Sequence, residues 1–353
     1  RRNCELKDSD TWRLSRAREL VQRDTDWRNK FTQCLYRPFD IRLLYYHDAL
    51  VERPRREVMQ HLLNPNIALI TTRQVTSLMF CHTLVSRCPV EFKCVSHDRN
   101  CNTFPLYLYP SEPTAQSTFV TDTRYRPNLS PACLKAFGEN LNLVQIMPHG
   151  LPSGLTPEDI FHYIYAVFHS PAYRTRYAEF LKIDFPRLPL TSRLEVFRAL
   201  ARLGGELVAL HLVEAQVQTG ISIRNDKTDG WTFTYATPPP VRVAFTGPAE
   251  PVVDKVGWSD DTVWIDAVKP QKGATDVKVT GTAGFRGVPE EVWNFHIGGY
   301  QVCEKWLKDR KGRTLNADDL VHYHRIVVAL HETIRLMAEI DRVIAAHGGW
   351  PLK

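Results

Sequence analysis

The most restrictive feature of this sequence is a series of helix-start signals in its middle third. The segment Thr156–Asp159 supplies a capping hydroxyl, a proline at the first helical position and two acids near the positive end of a helix dipole. Ser170-Pro171 repeats the signal, and Ser192 with Glu195 predicts a capping box for a long helix to about Ala215. The middle of the chain is therefore expected to be helical.

The flanking regions are richer in residues that favour strands. Residues 36–109 alternate short apolar runs with polar breaks, and residues 220–288 contain β-prone runs separated by Gly, Pro, Asn and Asp. Residues 289–308 predict a helix with Gly298-Gly299 as a kink, and Asn316 should cap a last long helix. The predicted class is α+β, with a β-rich N-terminal half, a helical middle, a second antiparallel β region and C-terminal helices.

Positive charge is modest in total but clustered along the chain. The 353 residues contain 45 Lys and Arg against 39 Asp and Glu, a formal net charge of +6, which permits a polyanionic partner without requiring one. Arg53, Arg55 and Arg56 lie close together, and further basic residues crowd the segment 305–313. The eight cysteines do not make a disulfide scaffold, and no apolar run reaches about 18 residues, so we expect a cytoplasmic protein with no membrane partner.

The motifs of several enzyme classes are missing. The sequence has neither the glycine-rich phosphate loops of nucleotide-binding proteins nor the G-x-S-x-G turn of serine hydrolases. Four cysteines and two histidines fall between Cys81 and Cys101, but their spacing lacks the close pairs that zinc sites use. We therefore expect free cysteines and no bound metal. Paired carboxylates all fall in the expected first turns of helices, where the helix dipole accounts for them.

Seven segments of the chain resemble a known family, and they follow the family's order. The segments are Tyr36–Tyr46, Arg53–Met59, Ala68–Gln74, Phe104–Tyr109, Leu155–Tyr165, Ser170–Arg174 and Phe295–Val302. They resemble the C-terminal part of single-chain type ISP restriction–modification enzymes and of their adenine-methyltransferase relatives. The resemblance extends from about residue 30 to the end of the sequence.

In that family one polypeptide carries a nuclease, a translocating motor, an N6-adenine methyltransferase and a C-terminal target-recognition domain. The resemblance implies that this chain is the last of these, and that it recognises double-stranded DNA beside the methyltransferase and motor domains of the same polypeptide. S-adenosylmethionine, ATP and Mg²⁺ are implied for those other domains, and no cofactor for this one.

The resemblance also suggests how the chain is divided. Residues 1–50 would be the end of a methyltransferase domain or the linker from it, and residues 51–190 a β-rich recognition subdomain with helices. Residues 191–353 would then hold a helix, an antiparallel β insertion and a C-terminal helical subdomain.

The sequence departs from the methyltransferases at their catalytic motifs. The adenine-binding N-P-P-Y/F motif is absent, since Asn64–Ile67 lacks the second proline and the aromatic residue. The F-x-G-x-G loop for S-adenosylmethionine is absent as well, and so are the nuclease and motor motifs. We therefore expect no methyltransferase, nuclease or ATPase activity from this chain alone.

Residue chemistry indicates which side chains would contact DNA. Lys and Arg neutralise phosphates, while Arg suits guanine edges and Asn or Gln suits adenine edges. The candidates for base reading, on expected loops, are Arg73, Gln74, Arg99, Asn100, Asn102 and Arg124. The candidates for phosphate contacts are Arg53, Arg55, Arg56, Arg174, Arg176, Lys305, Lys308 and Lys311.

Two other functions stay open at this point. The chain could be a complete DNA methyltransferase with unrecognised motifs, which saturable binding of S-adenosylmethionine would reveal. It could also be a docking module of a restriction complex, in which the long helices expected at 192–215 and 317–346 form the docking surface. Amphipathic helices usually bury their apolar side in their own core, which favours a packing role for both helices.

Overall fold

The computed structural model of the chain describes residues 8, 12–77, 79–110, 125–226, 230–268 and 278–352. Within these ranges helices and strands alternate in blocks, which confirms the predicted α+β class. None of the helices in this part of the chain combines the length and the apolarity that a membrane crossing requires. The described helices are α1 (Leu14–Gln22), α2 (Arg56–Met59), α3 (Pro131–Leu141), α4 (Pro157–His169), α5 (Pro171–Arg176), α6 (Ala178–Ile183), α7 (Leu194–His211), α8 (Gln216–Thr219), α9 (Glu290–Trp293), α10 (Val302–Lys308) and α11 (Ala317–Ala346).

The strands build small antiparallel sheets instead of one large one. The described strands are β1 (Phe31–Arg37), β2 (Asp40–Tyr45), β3 (Ala68–Thr72), β4 (Thr83–Ser86), β5 (Cys101–Pro105), β6 (Tyr107–Leu108), β7 (Arg126–Pro127), β8 (Gln145–Ile146), β9 (Leu151–Pro152), β10 (Ile221–Asp226), β11 (Gly230–Tyr235), β12 (Ala244–Thr246), β13 (Gly257–Ser259), β14 (Thr262–Trp264), β15 (Gly284–Arg286), β16 (His296–Ile297) and β17 (Tyr300–Gln301). Two sheets have more than two strands, in the orders β4-β3-β5 and β12-β15-β14-β13, and β1 pairs with β2 as a separate hairpin.

Three helices form the centre of the fold, which we call the helical core. α4 packs along α7, and α11 packs against both. Their apolar residues recur at helical spacing, so that Ile160 and Val167 on α4 and Leu200 and Leu207 on α7 are all fully buried. Because this apolar stripe is buried, the long helices have a packing role in the core of this chain.

Local sequence sets the start of three helices as predicted. Thr156 accepts a hydrogen bond from the Asp159 amide, while the Asp159 carboxylate accepts one from the Thr156 amide, which closes a capping box on α4. Ser170 caps α5 by accepting from the Tyr173 amide. Asn316 caps α11 and forms the same reciprocal pair with the third residue of that helix.

The predicted capping box at Ser192 is wrong. α7 begins at Leu194 with Arg193 as its N-cap residue, and no side chain caps it. Because the N-cap position falls at Arg193, one residue after Ser192, the Ser192 hydroxyl lies outside the position that caps the first turn. The helix also ends at His211, before the predicted end near Ala215.

The predicted helix kink at Gly298-Gly299 is also wrong. α9 ends at Trp293, and the two glycines form the turn of the β16–β17 hairpin. Gly298 has φ 59°, and a Cβ there would lie 1.5 Å from the Val95 carbonyl oxygen. The amides of Gly298 and Gly299 donate to the carbonyls of Cys81 and Val95, at 2.8 and 3.0 Å. The glycines therefore allow two distant backbones to touch.

Candidate nucleic-acid interface

Two loops that carry predicted base-reading residues leave one sheet at the same end. β3 and β5 pair in antiparallel register, so the end of β3 lies beside the start of β5. Arg73 and Gln74 directly follow β3, and Arg99 and Asn100 directly precede β5. Residues that are far apart in the sequence are thereby placed side by side on the surface.

A shared carboxylate ties these two loops together. The Thr76 hydroxyl donates a hydrogen bond to Asp98, which also accepts one from the Ser96 hydroxyl at 2.8 Å. The hydrogen bond from Thr76, followed by that from Ser96, lowers the pKa of Asp98 well below its usual range. Asp98 therefore stays ionised at neutral pH and holds the loops as one unit.

The arginines on these loops are exposed and form only surface ion pairs. Arg73 Nε lies 3.1 Å from the Asp184 carboxylate, and Arg99 Nε lies 3.9 Å from that of Asp98. Exposed ion pairs of this kind contribute on the order of 0–1 kcal/mol to stability. A polyanion could therefore replace these carboxylates as the partner of both arginines at little cost in stability.

The predicted base-reading amides differ in their exposure. Gln74 and Asn100 are exposed on the loops, whereas Asn102 is half-buried within β5, opposite Thr71 of β3. Asn102 is therefore the least accessible of the three to a ligand. Arg124, the remaining base-reading candidate, lies outside the described residues.

A groove of about 630 Å³ opens beside these loops. Its lining includes Arg53 and Arg55 from the segment before α2, Asn100 from the loop before β5, and Tyr36 and Arg42 from the β1–β2 hairpin. Two predicted phosphate contacts and one predicted base reader thus meet on one concave surface. We use the term basic face for the following set: Arg42, Arg53, Arg55, Arg73, Gln74, Arg99 and Asn100.

The backbone at the rim of this groove is strained. Arg53 has φ 140° and Arg55 has φ 47°, both in a region that side chains other than glycine rarely adopt. Such conformations cost on the order of 1–3 kcal/mol and concentrate at binding sites. Arg56 is the first residue of α2, and its Nη2 lies 2.7 Å from the carboxylate of Asp48.

Arg42 belongs to the basic face although sequence reasoning missed it. Its Cζ lies 3.7 Å from the centre of the Tyr36 ring, and that of Arg37 lies 4.0 Å from the same centre. Arg37 also lies 5.3 Å from the ring of Tyr300, which Lys305 Nζ approaches to 5.6 Å. The interleaving of aromatic and basic residues in the segment Tyr36–Arg42 was the available signal for this cation–aromatic series.

Two carboxylates fix the cations at the edge of the basic face. Asp40 is buried and lies 2.7 Å from Nη2 of Arg42 and 3.0 Å from Nη2 of Arg310. Asp309 lies 2.6 Å from Nζ of Lys305. Lys305, a predicted phosphate contact, therefore reaches the edge of the face with a carboxylate already beside it.

Arg174 lies where a phosphate cannot reach it. Its side chain is only 6% exposed, and its Nε donates to the Phe168 carbonyl at 2.7 Å. Burial lowers the pKa of this guanidinium. The prediction of a phosphate contact is wrong for Arg174, because α5 packs this side of its helix against the interior. Three other predicted phosphate contacts are exposed and stay predictions: Arg176, Lys308 and Lys311.

A second groove has a volume of about 570 Å³. It is lined by Glu57 of α2, by Tyr109, Tyr125 and Arg126, and by His149. Arg55 lines the first groove, and its Nη1 lies 4.0 Å from the carboxylate of Glu57, which lines the second. Tyr125 packs against Tyr109 with their ring centres 5.4 Å apart, so aromatic surface faces this groove.

The cysteines between Cys81 and Cys101 are free thiols. Cys94 is fully buried, and burial raises the pKa of Cys101 to about 11. In the part of the chain that the structure describes, no three His, Cys, Asp or Glu side chains come together as a metal site would require.

Comparison with known proteins shows which family the chain matches. A family model described as the type ISP C-terminal specificity domain matches residues 1–339. No curated protein matches the chain.

Solved structures with a similar fold include three complexes with DNA or a DNA mimic. The ATP-dependent type ISP restriction-modification enzyme LlaBIII bound to DNA is 18% identical, with a TM-score of 0.61 over 93% of this chain and 20% of that one. The cryoEM structure of a DrdV–DNA complex is 20% identical, with a TM-score of 0.64 over 94% of this chain and 30% of that one. A nuclease-deletion mutant of the type ISP enzyme LlaGI in complex with a DNA substrate mimic is 19% identical, with a TM-score of 0.54 over 88% of this chain and 20% of that one.

These likenesses show a shared fold. This chain spans between 20% and 30% of the length of the three matched chains.

Proposed function

Since the chain belongs to the family of type ISP C-terminal specificity domains, we propose that it recognises a short sequence in double-stranded DNA. The observation that carries the proposal is the basic face. Loops from separate parts of the sequence converge there, with exposed arginines beside exposed amides. The three solved relatives named above are themselves complexes with DNA or a DNA mimic, which supports the proposal.

The basic face suits a division of labour between two kinds of contact. Phosphate contacts set position and affinity, and contacts to base edges set the sequence. Arg53 and Arg55 line the groove and suit the phosphate backbone, because their charge does not depend on base identity. Arg73, Gln74 and Asn100 lie on loops that could enter a groove of the duplex, where Arg reads guanine and the amides read adenine.

The chemistry would belong to other domains of a longer polypeptide. In this proposal a methyltransferase domain with S-adenosylmethionine modifies an adenine, and a motor and nuclease with ATP and Mg²⁺ carry out restriction. The present chain holds the DNA in register for them. The compartment proposed for this work is the cytoplasm of a bacterial cell.

Salt dependence of binding to mixed-sequence duplex DNA tests the first half of the proposal. The chain should bind, and log Kd should rise linearly with log salt concentration, because phosphate contacts release counterions. Arg53→Ala should lower that slope by about 1. Arg342→Ala is the matched control, because Arg342 is an exposed arginine on α11 that pairs with Glu339 and lies outside the basic face. A chain that does not bind, or binds with no salt dependence, contradicts the proposal.

A further inference from the structure

A short hairpin projects beside the second groove. β8 and β9 pair over two residues each and enclose the turn from Met147 to Gly150. The Gly150 amide donates to the Ile146 carbonyl at 2.9 Å, and the Gln145 side chain donates to the Gly150 carbonyl at 2.9 Å. The amide of Ser153 donates to the Val144 carbonyl at 2.8 Å at the base. These hydrogen bonds give the turn a fixed shape.

The tip of this hairpin is apolar and exposed. Met147 is 80% exposed, the highest value among the large apolar side chains in the described part of the chain, and Ile146 is 52% exposed. Val144 at the base is 78% exposed. Single exposed apolar residues are ordinary on protein surfaces. A group of exposed apolar residues on a hydrogen-bonded turn is less common, because their exposure to water does not stabilise the fold.

The position of the tip relates it to the proposed DNA surface. His149, two residues after Met147, lines the second groove with Tyr125 and Arg126. Glu57, which lines the same groove, contacts Arg55 of the basic face. A duplex that contacts Arg55 and extends over Glu57 would therefore enter the groove that His149 and Arg126 line, at the turn of this hairpin.

We propose that Met147, supported by Ile146, is an apolar wedge that enters between neighbouring base pairs of the bound duplex. Side chains such as Met and Ile act in this way in proteins that kink DNA, where they separate the stacked bases of one step. Arg126, which lines the same groove as His149, is suited to the phosphates of the opened step. This inference rests on the proposed function, since it requires that the chain bind duplex DNA.

The test compares binding to two short duplexes of the same mixed sequence, one intact and one with a single abasic site. A wedge should favour the abasic duplex by about tenfold, because the gap removes the stacking that the wedge must otherwise break. Met147→Ala should bring the two affinities together, and Met147→Leu should keep the preference because it keeps the apolar volume. Thermal unfolding should be unchanged in both variants, because Met147 is exposed.

Val268→Ala is the control, since Val268 is apolar and 63% exposed in the second β region, far along the chain from the hairpin. It should keep the preference for the abasic duplex. Equal binding to both duplexes by the unchanged chain, or a preference that survives Met147→Ala, overturns the wedge. The second result is also the one expected if the tip packs against a neighbouring protein domain instead. Failure to bind either duplex would contradict the proposed function itself.

Discussion

The helical core and the basic face use arginine in opposite ways. Arg174 of α5 is buried against the helical core, where its Nε donates to the Phe168 carbonyl of α4. On the face, Arg53 and Arg73 are exposed, and the carboxylate beside Arg73 is a surface one. The same residue type thus stabilises packing in one region and is free to meet a ligand in the other. The comparison teaches that a basic residue marks a DNA contact only where the fold exposes it.

The largest expected effect is a loss of stability at acid pH, which should come from buried histidines and not from the basic face. Burial lowers the pKa of His82 and of His324 to about 4 and that of His211 to about 3. All three are neutral in the folded protein, and the unfolded chain takes up protons below about pH 6.5, so stability is lost as the pH falls. Between pH 7 and 5 the free energy of unfolding should drop by about 2 kcal/mol for each histidine.

Urea unfolding at pH 7, 6 and 5 measures this loss. His324→Gln should remove the part of the pH dependence that comes from His324. DNA binding by the folded protein at pH 7 and pH 6 should differ little, because arginine keeps its charge throughout. Stability that is flat from pH 7 to 5 would show that the interior does not hold neutral histidines.

The next effect separates two arginines of α5. Arg174→Ala should lower the free energy of unfolding by about 3 kcal/mol, because it leaves a cavity and an unpaired buried carbonyl. Arg176→Ala should change it by less than about 0.5 kcal/mol, since Arg176 is exposed. Arg174→Met should cost less than Arg174→Ala, because it fills the volume without a buried charge. Equal stability of the two alanine variants, measured by urea unfolding, would break the contrast between the core and the face.

A smaller effect concerns discrimination between bases. Asn100→Ala should leave the affinity for mixed-sequence DNA close to that of the unchanged chain, and it should relax the preference at one base pair by about 1–3 kcal/mol. Competition binding with single-base-pair substitutions in the preferred site measures this. The control is Asn140→Ala, because the Asn140 side chain is exposed on α3 and donates within its own helix. A uniform loss of affinity across all duplexes would show that Asn100 contacts phosphate instead of a base.

The smallest effect concerns Arg42, which lies outside the clusters of basic residues in the sequence. Arg42→Ala should weaken DNA binding by about 1 kcal/mol, equally for all sequences, because it removes one exposed positive charge beside the groove. Arg42→Lys should restore only part of the affinity, since Lys stacks less well on the Tyr36 ring. Fluorescence anisotropy with mixed-sequence duplexes gives both values. Full affinity in Arg42→Ala would confine the basic face to the loops around Arg53 and Asn100.

The predictable and unpredictable parts of the fold differ in the range of the interactions that set them. The starts of α4, α5 and α11 depend on residues within one helical turn, and the sequence predicted all three. The turn at Gly298 depends on its approach to the Val95 carbonyl, and the sequence shows no trace of that contact. A pair of glycines within an apolar pattern therefore suggested a helix kink where the chain forms a hairpin.

The same distinction applies to the candidate site. Residue chemistry selected Arg53, Arg55 and Asn100, and the fold places them on one groove. It also selected Arg174, because charge and neighbouring residues do not reveal which side of a short helix is buried. Arg42 was missed because its place depends on the pairing of β1 with β2 and on the buried Asp40.

Selection of bound duplexes from a random pool tests the central claim most directly, with the unchanged chain and with Arg73→Ala and Asn100→Ala run in parallel. The account predicts that the chain enriches one short sequence and that each variant enriches the same sequence with one position relaxed. Enrichment of no sequence by the unchanged chain, or variants that bind every duplex more weakly with an unaltered preference, would contradict base reading by the basic face.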